Sequence, residues 1–358
     1  MVFVDKTNYE IINESSIGDD IQVSIYCLAY NHEKYIATAI ESFLMQETSF
    51  RYMIYIHDDA STDGTPNIIR EYAAKYPDKI VAVLQKENQY SMGIKIVKTF
   101  LRPLFRGQYI AMCEGDDFWI HEKKLQKQFD FMKRYPKCTF CAHGGVTVNA
   151  DTCKPLSKNT VGKAECFFSI EDAIAGLGRK LLTNSFFYCL EILDDQPEYR
   201  VIAPCGDYPL PVCCAEKGVL GYLPEIMSAY RVTSNAQSVT TAMRSNTSYR
   251  KRYTERFDAM LRSLDQHTKM KYAPLIEKER QRIWMNYYIQ AGDNAALKKE
   301  PYEQLLKAFP LRKKVVTFLE LNFPRLIAAL RKWVLAVRLL RTEVTIGIRN
   351  EDSSWLVP

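Results

Sequence analysis

Tyr109-Ile-Ala-Met-Cys-Glu-Gly-Asp-Asp-Phe-Trp119 is the stretch on which the reading of this chain turns. Residues 109–113 are apolar and include β-branched Ile110, the composition of a strand buried on both faces. Three carboxylates follow at once: Glu114, Asp116 and Asp117. Carboxylates crowded at the end of a strand repel one another and lose hydration. A hard divalent cation is the simplest compensation, which makes all three metal-ligand candidates. The competing reading of this stretch alone is an acidic turn solvated at the surface. The elements around it decide between the two.

Upstream, residues 22–29 read as a first strand, broken by Tyr30-Asn-His-Glu33. Ile36, Ala39, Ile40, Phe43 and Leu44 recur at helical spacing within residues 35–46. Residues 52–56 predict a second strand, ending in His57-Asp-Asp-Ala-Ser-Thr-Asp-Gly64. Thr65 as N-cap and Pro66 at the first helical position then open a helix that Pro77-Asp78 closes. A third strand is predicted over 80–84 and a helix over 93–105. After the acidic stretch come a helix over 123–135 and a strand over 138–148. Alternating strands and helices specify an α/β fold, a mostly parallel sheet with helices on both faces. Ligands of such sheets gather at carboxyl ends of strands, where the strand order reverses. Tyr30-Asn31, Asp58-Asp59 and the cluster from Glu114 to Asp117 all fall at such ends. No glycine-rich dinucleotide fingerprint and no P-loop is present. A diphosphate held here needs another device, and a metal on Asp116 or Asp117 would supply it.

The chain has 358 residues, room for one large α/β domain and an appendage. It is 47% hydrophobic and 25% charged, a composition that argues against disorder. The net charge of +6 is modest, and the basic residues are not interleaved with a nucleic-acid-binding motif, so no nucleic acid partner is expected. Met1-Val-Phe-Val-Asp5 has neither the basic region nor the apolar core of a signal peptide, and no apolar run spans a bilayer. Ten cysteines without such a signal suggest free thiols in a reducing, cytoplasmic setting. Cys138-Thr-Phe-Cys141 has zinc-like spacing but no second ligand pair, so packed thiols are expected. His57 and His143 read as core histidines, and Asp63 with Gly64 as turn chemistry.

Residues 23–31, Asp58-Asp-Ala-Ser-Thr-Asp-Gly-Thr65 and Glu114-Gly-Asp-Asp-Phe-Trp119 together resemble family 2 glycosyltransferases, which adopt the glycosyltransferase A-type fold. The resemblance covers roughly residues 21–230. It implies a nucleoside held by Leu28, Tyr30 and Asn31 with the Asp58-Asp59 pair. Tyr30 would border the base, and Asp58 or Asp59 would accept a hydrogen bond from its edge. Asp116 and Asp117 would contact the ribose and the Mg2+ or Mn2+ that binds the diphosphate. Glu114 departs from the family, which often has Asp there, and a longer carboxylate still suits such a cation.

In the second half, Ser169-Ile-Glu-Asp172 signals a capped short helix. Residues 181–189 predict a strand, 212–217 a short helix closed by Gly218, and 220–223 another strand before Tyr230-Arg231. Asp207, in Cys205-Gly-Asp-Tyr-Pro-Leu210, stands where the family keeps its catalytic base, ahead of a short helix on the acceptor side. The alternative for Asp207 is a helix N-cap with Pro209 in the first turn. Arg231 could reach a phosphate. After about Ser234 the grammar changes to amphipathic helices over 249–264, 274–291 and 302–309. A last one, over 324–341, sets Leu326, Leu330, Trp333, Val334, Val337 and Leu340 opposite most of Arg331, Lys332 and Arg338. Such a basic amphipathic helix either lies on an anionic membrane surface or packs on the catalytic domain.

The expected organisation is an N-terminal extension (1–20), a catalytic domain (21–235) and a helical C-terminal region (236–358). The expected activity is metal-dependent, inverting transfer of a sugar from a nucleotide-diphosphate donor, UDP-linked, to a glycan or lipid-linked acceptor in cell-surface polysaccharide synthesis. The expected location is cytoplasmic, at the inner face of the membrane. The rivals are a nucleotidyltransferase that makes the sugar nucleotide, and a non-catalytic sugar-nucleotide or glycan-binding module.

Overall fold

The computed structural model describes residues 8–232 and 246–323, together with Met243 and Leu330. Its centre is one eleven-stranded sheet. In chain order the strands are β1 (Tyr9–Ile12), β2 (Ile21–Ala29), β3 (Arg51–Asp58), β4 (Ile80–Gln85), β5 (Tyr109–Met112), β6 (Phe118–Trp119), β7 (Cys138–Asn149), β8 (Pro155–Asn159), β9 (Cys166–Phe168), β10 (Phe187–Cys189) and β11 (Val219–Val232). They lie side by side as β1-β4-β3-β2-β5-β10-β7-β11-β6, with β8 on β7 and β9 on β11. The block from β4 to β5 is parallel, as is the pair of β7 and β11. The short β10 runs antiparallel between β5 and β7. The chain steps outward from β2 to β3 and β4, then returns to place β5 on the other side of β2. The strand order therefore reverses between β2 and β5, and their carboxyl ends frame a crevice.

Both faces of the sheet are covered, which is why the strands read as unbroken apolar runs. Val23, Ile25 and Cys27 of β2 pack toward α1 (Ile36–Leu44), α2 (Thr65–Lys75) and α3 (Lys124–Arg134). Tyr26 turns to the other face, into a core shared with α4 (Ile170–Ile174), α5 (Glu198–Ile202), α6 (Pro209–Lys217) and α7 (Thr247–His267). From α7 the residues Phe257, Met260, Leu261 and Leu264 enter that core. The first helix after residue 236 is thus built into the α/β body. Helices α8 (Ala273–Ala291), α9 (Asn294–Leu297), α10 (Tyr302–Ala308) and α11 (Leu311–Asn322) follow. The helix expected over 324–341 lies outside the described residues. Among the described residues no helix is long and apolar enough to cross a membrane.

Several expectations change in detail. The helix expected over 93–105 is one π-type turn, Val97–Leu101. The strand expected over 181–189 is only Phe187–Cys189, because a 3-10 turn (Thr183–Ser185) precedes it. There the amide and the hydroxyl of Ser185 both donate to the Leu182 carbonyl, a local bond that competes with the ladder. The pieces at 220–223 and 230–231 are one strand, β11, with register shifts around Ile226. Gly64, not Thr65, is the N-cap position of α2, and Thr65 is its first helical residue. The first twenty residues contribute β1, an antiparallel edge on β4.

One core residue is chemically unusual. Lys124 is fully buried, with its Nζ 3.8 Å from the Trp119 ring centre and no hydrogen-bond acceptor. Burial pushes its amine down to about 7. A lysine in the unfolded chain stays protonated up to about 10.4. Between those values the unfolded chain binds more protons than the folded one, so stability rises with pH across that window. Urea unfolding at about pH 7 and about pH 10 should show this gain in the wild type and lose it in Lys124→Met, which removes the titrating group.

Candidate active site

The loops at the ends of β2, β3 and β4 are stitched together by side-chain to backbone bonds. Asn31 adopts a left-handed conformation, φ 56°. Its amide donates to Ser61 Oγ at 2.8 Å, and its Oδ1 accepts from the Thr62 amide at 2.8 Å. The His32 amide donates to Thr65 Oγ1 and the Glu33 amide to Asp63 Oδ2. Asp58 accepts from both the amide and the hydroxyl of Ser61. Asp59 accepts from the amides of Gln89 at 2.8 Å and Tyr90 at 3.0 Å. Both aspartates are buried, and burial raises both carboxyls while these bonds pull them back. Asp58 and Asp59 are therefore loop anchors first, leaving only their remaining lone pairs for a base edge. Leu28 acts through its backbone, its carbonyl accepting from the Gly115 amide at 2.9 Å. Tyr30 stands out from this wall, 44% exposed.

The acidic loop docks against this wall because residue 115 is glycine. A Cβ there would lie 2.9 Å from both His32 Nδ1 and Ile36 Cδ1. Asp116 then sits partly exposed, with its Oδ2 4.0 Å from His32 Nε2. Asp117 turns inward and is fully buried. Its Oδ1 accepts from the Arg231 amide at 2.9 Å and its Oδ2 from Asn184 Nδ2 at 3.2 Å. Burial, then the charge of Asp116, pushes its carboxyl well up. Glu114 keeps some surface exposed but encloses its carboxyl, which burial, then Asp116 and Asp207, push up to about 7. Arg231 closes the loop from above. Its Nη1 donates to the Asp116 carbonyl at 2.8 Å, and its guanidinium lies 4.3 Å from the Phe118 ring centre and 5.1 Å from that of Tyr35. The expected cluster of three metal carboxylates is accordingly corrected. Among the described residues no three His, Cys, Asp or Glu side chains are grouped to hold a metal ion. Asp117 is committed to the protein and Glu114 is enclosed, so Asp116 is the carboxylate that faces the crevice.

Asp207 precedes α6 by two residues. Tyr208 holds the N-cap position and no side chain caps that helix, so the capping role considered for Asp207 does not apply. One of its oxygens, Oδ1, is buried without a partner. Tyr230 shows what surrounds it. Burial raises its phenol, and Asp117, Glu114, Asp116 and Asp207 raise it further. On the far side, burial lowers His32 while Asp116, Asp63 and Asp58 oppose that shift. The acidic side chains after β3, after β5 and before α6 thus share one crevice, with His32 and Tyr230 between them.

His32, Tyr230 and Asn184 were not singled out from the sequence, and no spacing marks them. Asn184 lies within the run that reads as a strand, yet it ties the site together. Its carbonyl accepts from Trp119 Nε1 at 2.9 Å, its Oδ1 from Ser228 Oγ at 2.8 Å, and its Nδ2 donates to Asp117 and to the Ala229 carbonyl. His57 and His143 are buried core histidines, the first pushed down to about 3 by burial. Cys138 and Cys141 are buried free thiols.

A sheet whose order reverses beside an acidic loop, with a helical flank on the acceptor side, is the architecture of the glycosyltransferase A-type fold. S. aureus TarS (residues 1–349, in complex with UDP-GlcNAc) shares that fold, with a TM-score of 0.53 and 16% identity over 79% of this chain and 78% of its own. Residues 24–189 match the family model described as glycosyl transferase family 2. The Mycobacterium tuberculosis protein Rv1520 is 36% identical over 219 residues, 58% of either chain. TuaG of Bacillus subtilis, named for teichuronic acid biosynthesis, is 29% identical over 222 residues, 60% of this chain and 81% of its own. This chain belongs to glycosyl transferase family 2. It spans 58% of the length of Rv1520.

Asn184→Ala would leave the Asp117 carboxylate and the Ser228 hydroxyl short of a buried partner. We expect a loss of at least about 2 kcal/mol in unfolding free energy, read by chemical denaturation.

Proposed function

We propose that the chain transfers a sugar, with inversion, from a uridine diphosphate donor to a hydroxyl of a glycan or lipid-linked acceptor. The setting we assign is cell-surface polysaccharide assembly, on the cytoplasmic side of the membrane. The observation that carries this reading is the meeting of Glu114, Asp116, Asp117 and Asp207 around Tyr230. The uridine-linked donor follows the TarS complex, and the polysaccharide setting follows the name of TuaG.

In this reading Tyr30 borders the base, and Asn31, Asp58 and Asp59 hold the wall against which the nucleoside lies. Asp116 is the residue that fits Mg2+ or Mn2+, since such ions take one or two carboxylates and complete their shell with substrate phosphates and water. When bound, the ion supplies positive charge for the departing diphosphate. Asp117 and Asn184 fix the loop so that Asp116 faces the crevice. Asp207 removes the acceptor proton as the hydroxyl oxygen attacks the anomeric carbon and the bond to the diphosphate breaks on the opposite side. Its unpartnered Oδ1 is the acceptor for that proton. A nucleotidyltransferase would instead release pyrophosphate, and a binding module would consume no donor.

Asp207→Asn should bind UDP as the wild type does while release of UDP from the donor falls roughly 10²–10⁴-fold, the usual loss of a general base. Normal turnover in Asp207→Asn would place the base elsewhere. Asp116→Ala should lose the part of donor affinity that depends on Mn2+, measured by titration with and without a chelator.

A further inference from the structure

A cavity of about 200 Å3 lies between α7 and α8, against the segment that carries Asp207. Arg179, Arg250, Arg282, Tyr253, Phe257 and Asn286 are among the residues that line it. Arg179 and Arg282 converge on one carboxylate, Glu279, which is itself 4% exposed. Arg179 Nη2 reaches Glu279 at 2.6 Å, and Arg282 Nε donates to both of its oxygens, at 2.8 and 2.9 Å. Arg250 is buried and donates to the carbonyls of Met243 and Gln290. Three cations therefore face this cavity with one buried anion among them. Guanidinium groups are forks that match paired oxygens of phosphate or carboxylate, and a local excess of cations favours such a guest.

The cavity also shares its wall with the candidate base. Tyr253 bonds Cys205, and the charge of Asp207 acts on its phenol. The Arg179 guanidinium lies 5.2 Å from the ring centre of Tyr208, the neighbour of Asp207. Gly178 approaches so closely that a Cβ would lie 2.2 Å from the Asp207 carbonyl oxygen. An anion seated here stands beside the point where an acceptor hydroxyl would be deprotonated.

We propose that this cavity is an acceptor subsite for an anionic group, a phosphate or a carboxylate carried by the acceptor, a step that rests on the glycosyl-transfer reading. The excess of arginine selects acceptors by charge, while the sugar hydroxyl is presented to Asp207.

The test uses the full chain saturated with UDP and Mn2+, so that the donor site is filled. Glucose 1-phosphate, glucuronate and methyl glucoside are titrated by calorimetry. At least one of the two anions should bind and the neutral sugar should not. Binding of glucose 1-phosphate alone assigns a phosphate source, such as a lipid diphosphate headgroup, and binding of glucuronate alone assigns a uronate. Arg282→Gln, which leaves Arg179 on Glu279, and exposed Asn286→Asp should each weaken the anion roughly tenfold. UDP affinity measured on the same samples verifies that each variant is folded. UDP binding without any preference for the anions, or anion affinity unchanged in both variants, overturns the subsite and leaves the donor site intact. Failure of UDP itself to bind overturns the reading on which the subsite rests.

Discussion

The buried carboxylate of Asp117 joins the two halves of the sheet. It ties the loop after β5 to the backbone of β11 through the Arg231 amide, and to the turn before β10 through Asn184. A carboxylate taken out of water is costly unless it is bonded on all sides. Here the bonding partners come from segments more than sixty residues away in the chain, so the acidic loop can take this position only when the second half has folded around it. The orientation of Asp116 toward the crevice is a consequence of the inward turn of its neighbour.

The same logic runs through the nucleoside wall. Asn31, Asp59 and Asp63 use their side chains to close loops onto one another, which leaves Tyr30 as the exposed ring at the end of β2. Few of the polar residues at the strand ends are free; most hold the shape and a few face the ligand. Such a crevice is preorganised, and binding need not order its walls. Positive charge is distributed with equal economy. Arg231 lies over the acidic loop between two aromatic rings, and Lys124 lies beneath it on Trp119.

Much of this was legible in the sequence. The strands from β2 to β5 declare themselves because they are buried on both faces, and turn chemistry marks their ends. The acidic loop and Asp207 were legible as chemistry. The division of labour among the carboxylates was not. Nothing in Glu114-Gly-Asp-Asp117 distinguishes the aspartate that faces inward from the one that faces out, because the difference is made by Asn184 and the Arg231 amide, both distant in sequence. The turn at Thr183–Ser185 was hidden for a related reason: its flanks are apolar, and a single serine redirects the backbone. The arginine cavity was invisible because its walls come from residues 179, 250 and 282, which meet only when α7 and α8 pack on the catalytic body.

The central claim is that Asp116 presents a carboxylate to a cation shared with a diphosphate. Titration of UDP into the wild-type chain, in excess Mn2+ and again in excess chelator, tests it directly. The account predicts affinity at least about tenfold tighter with the metal, a difference of roughly 1.4 kcal/mol. Equal affinity under the two conditions would contradict it.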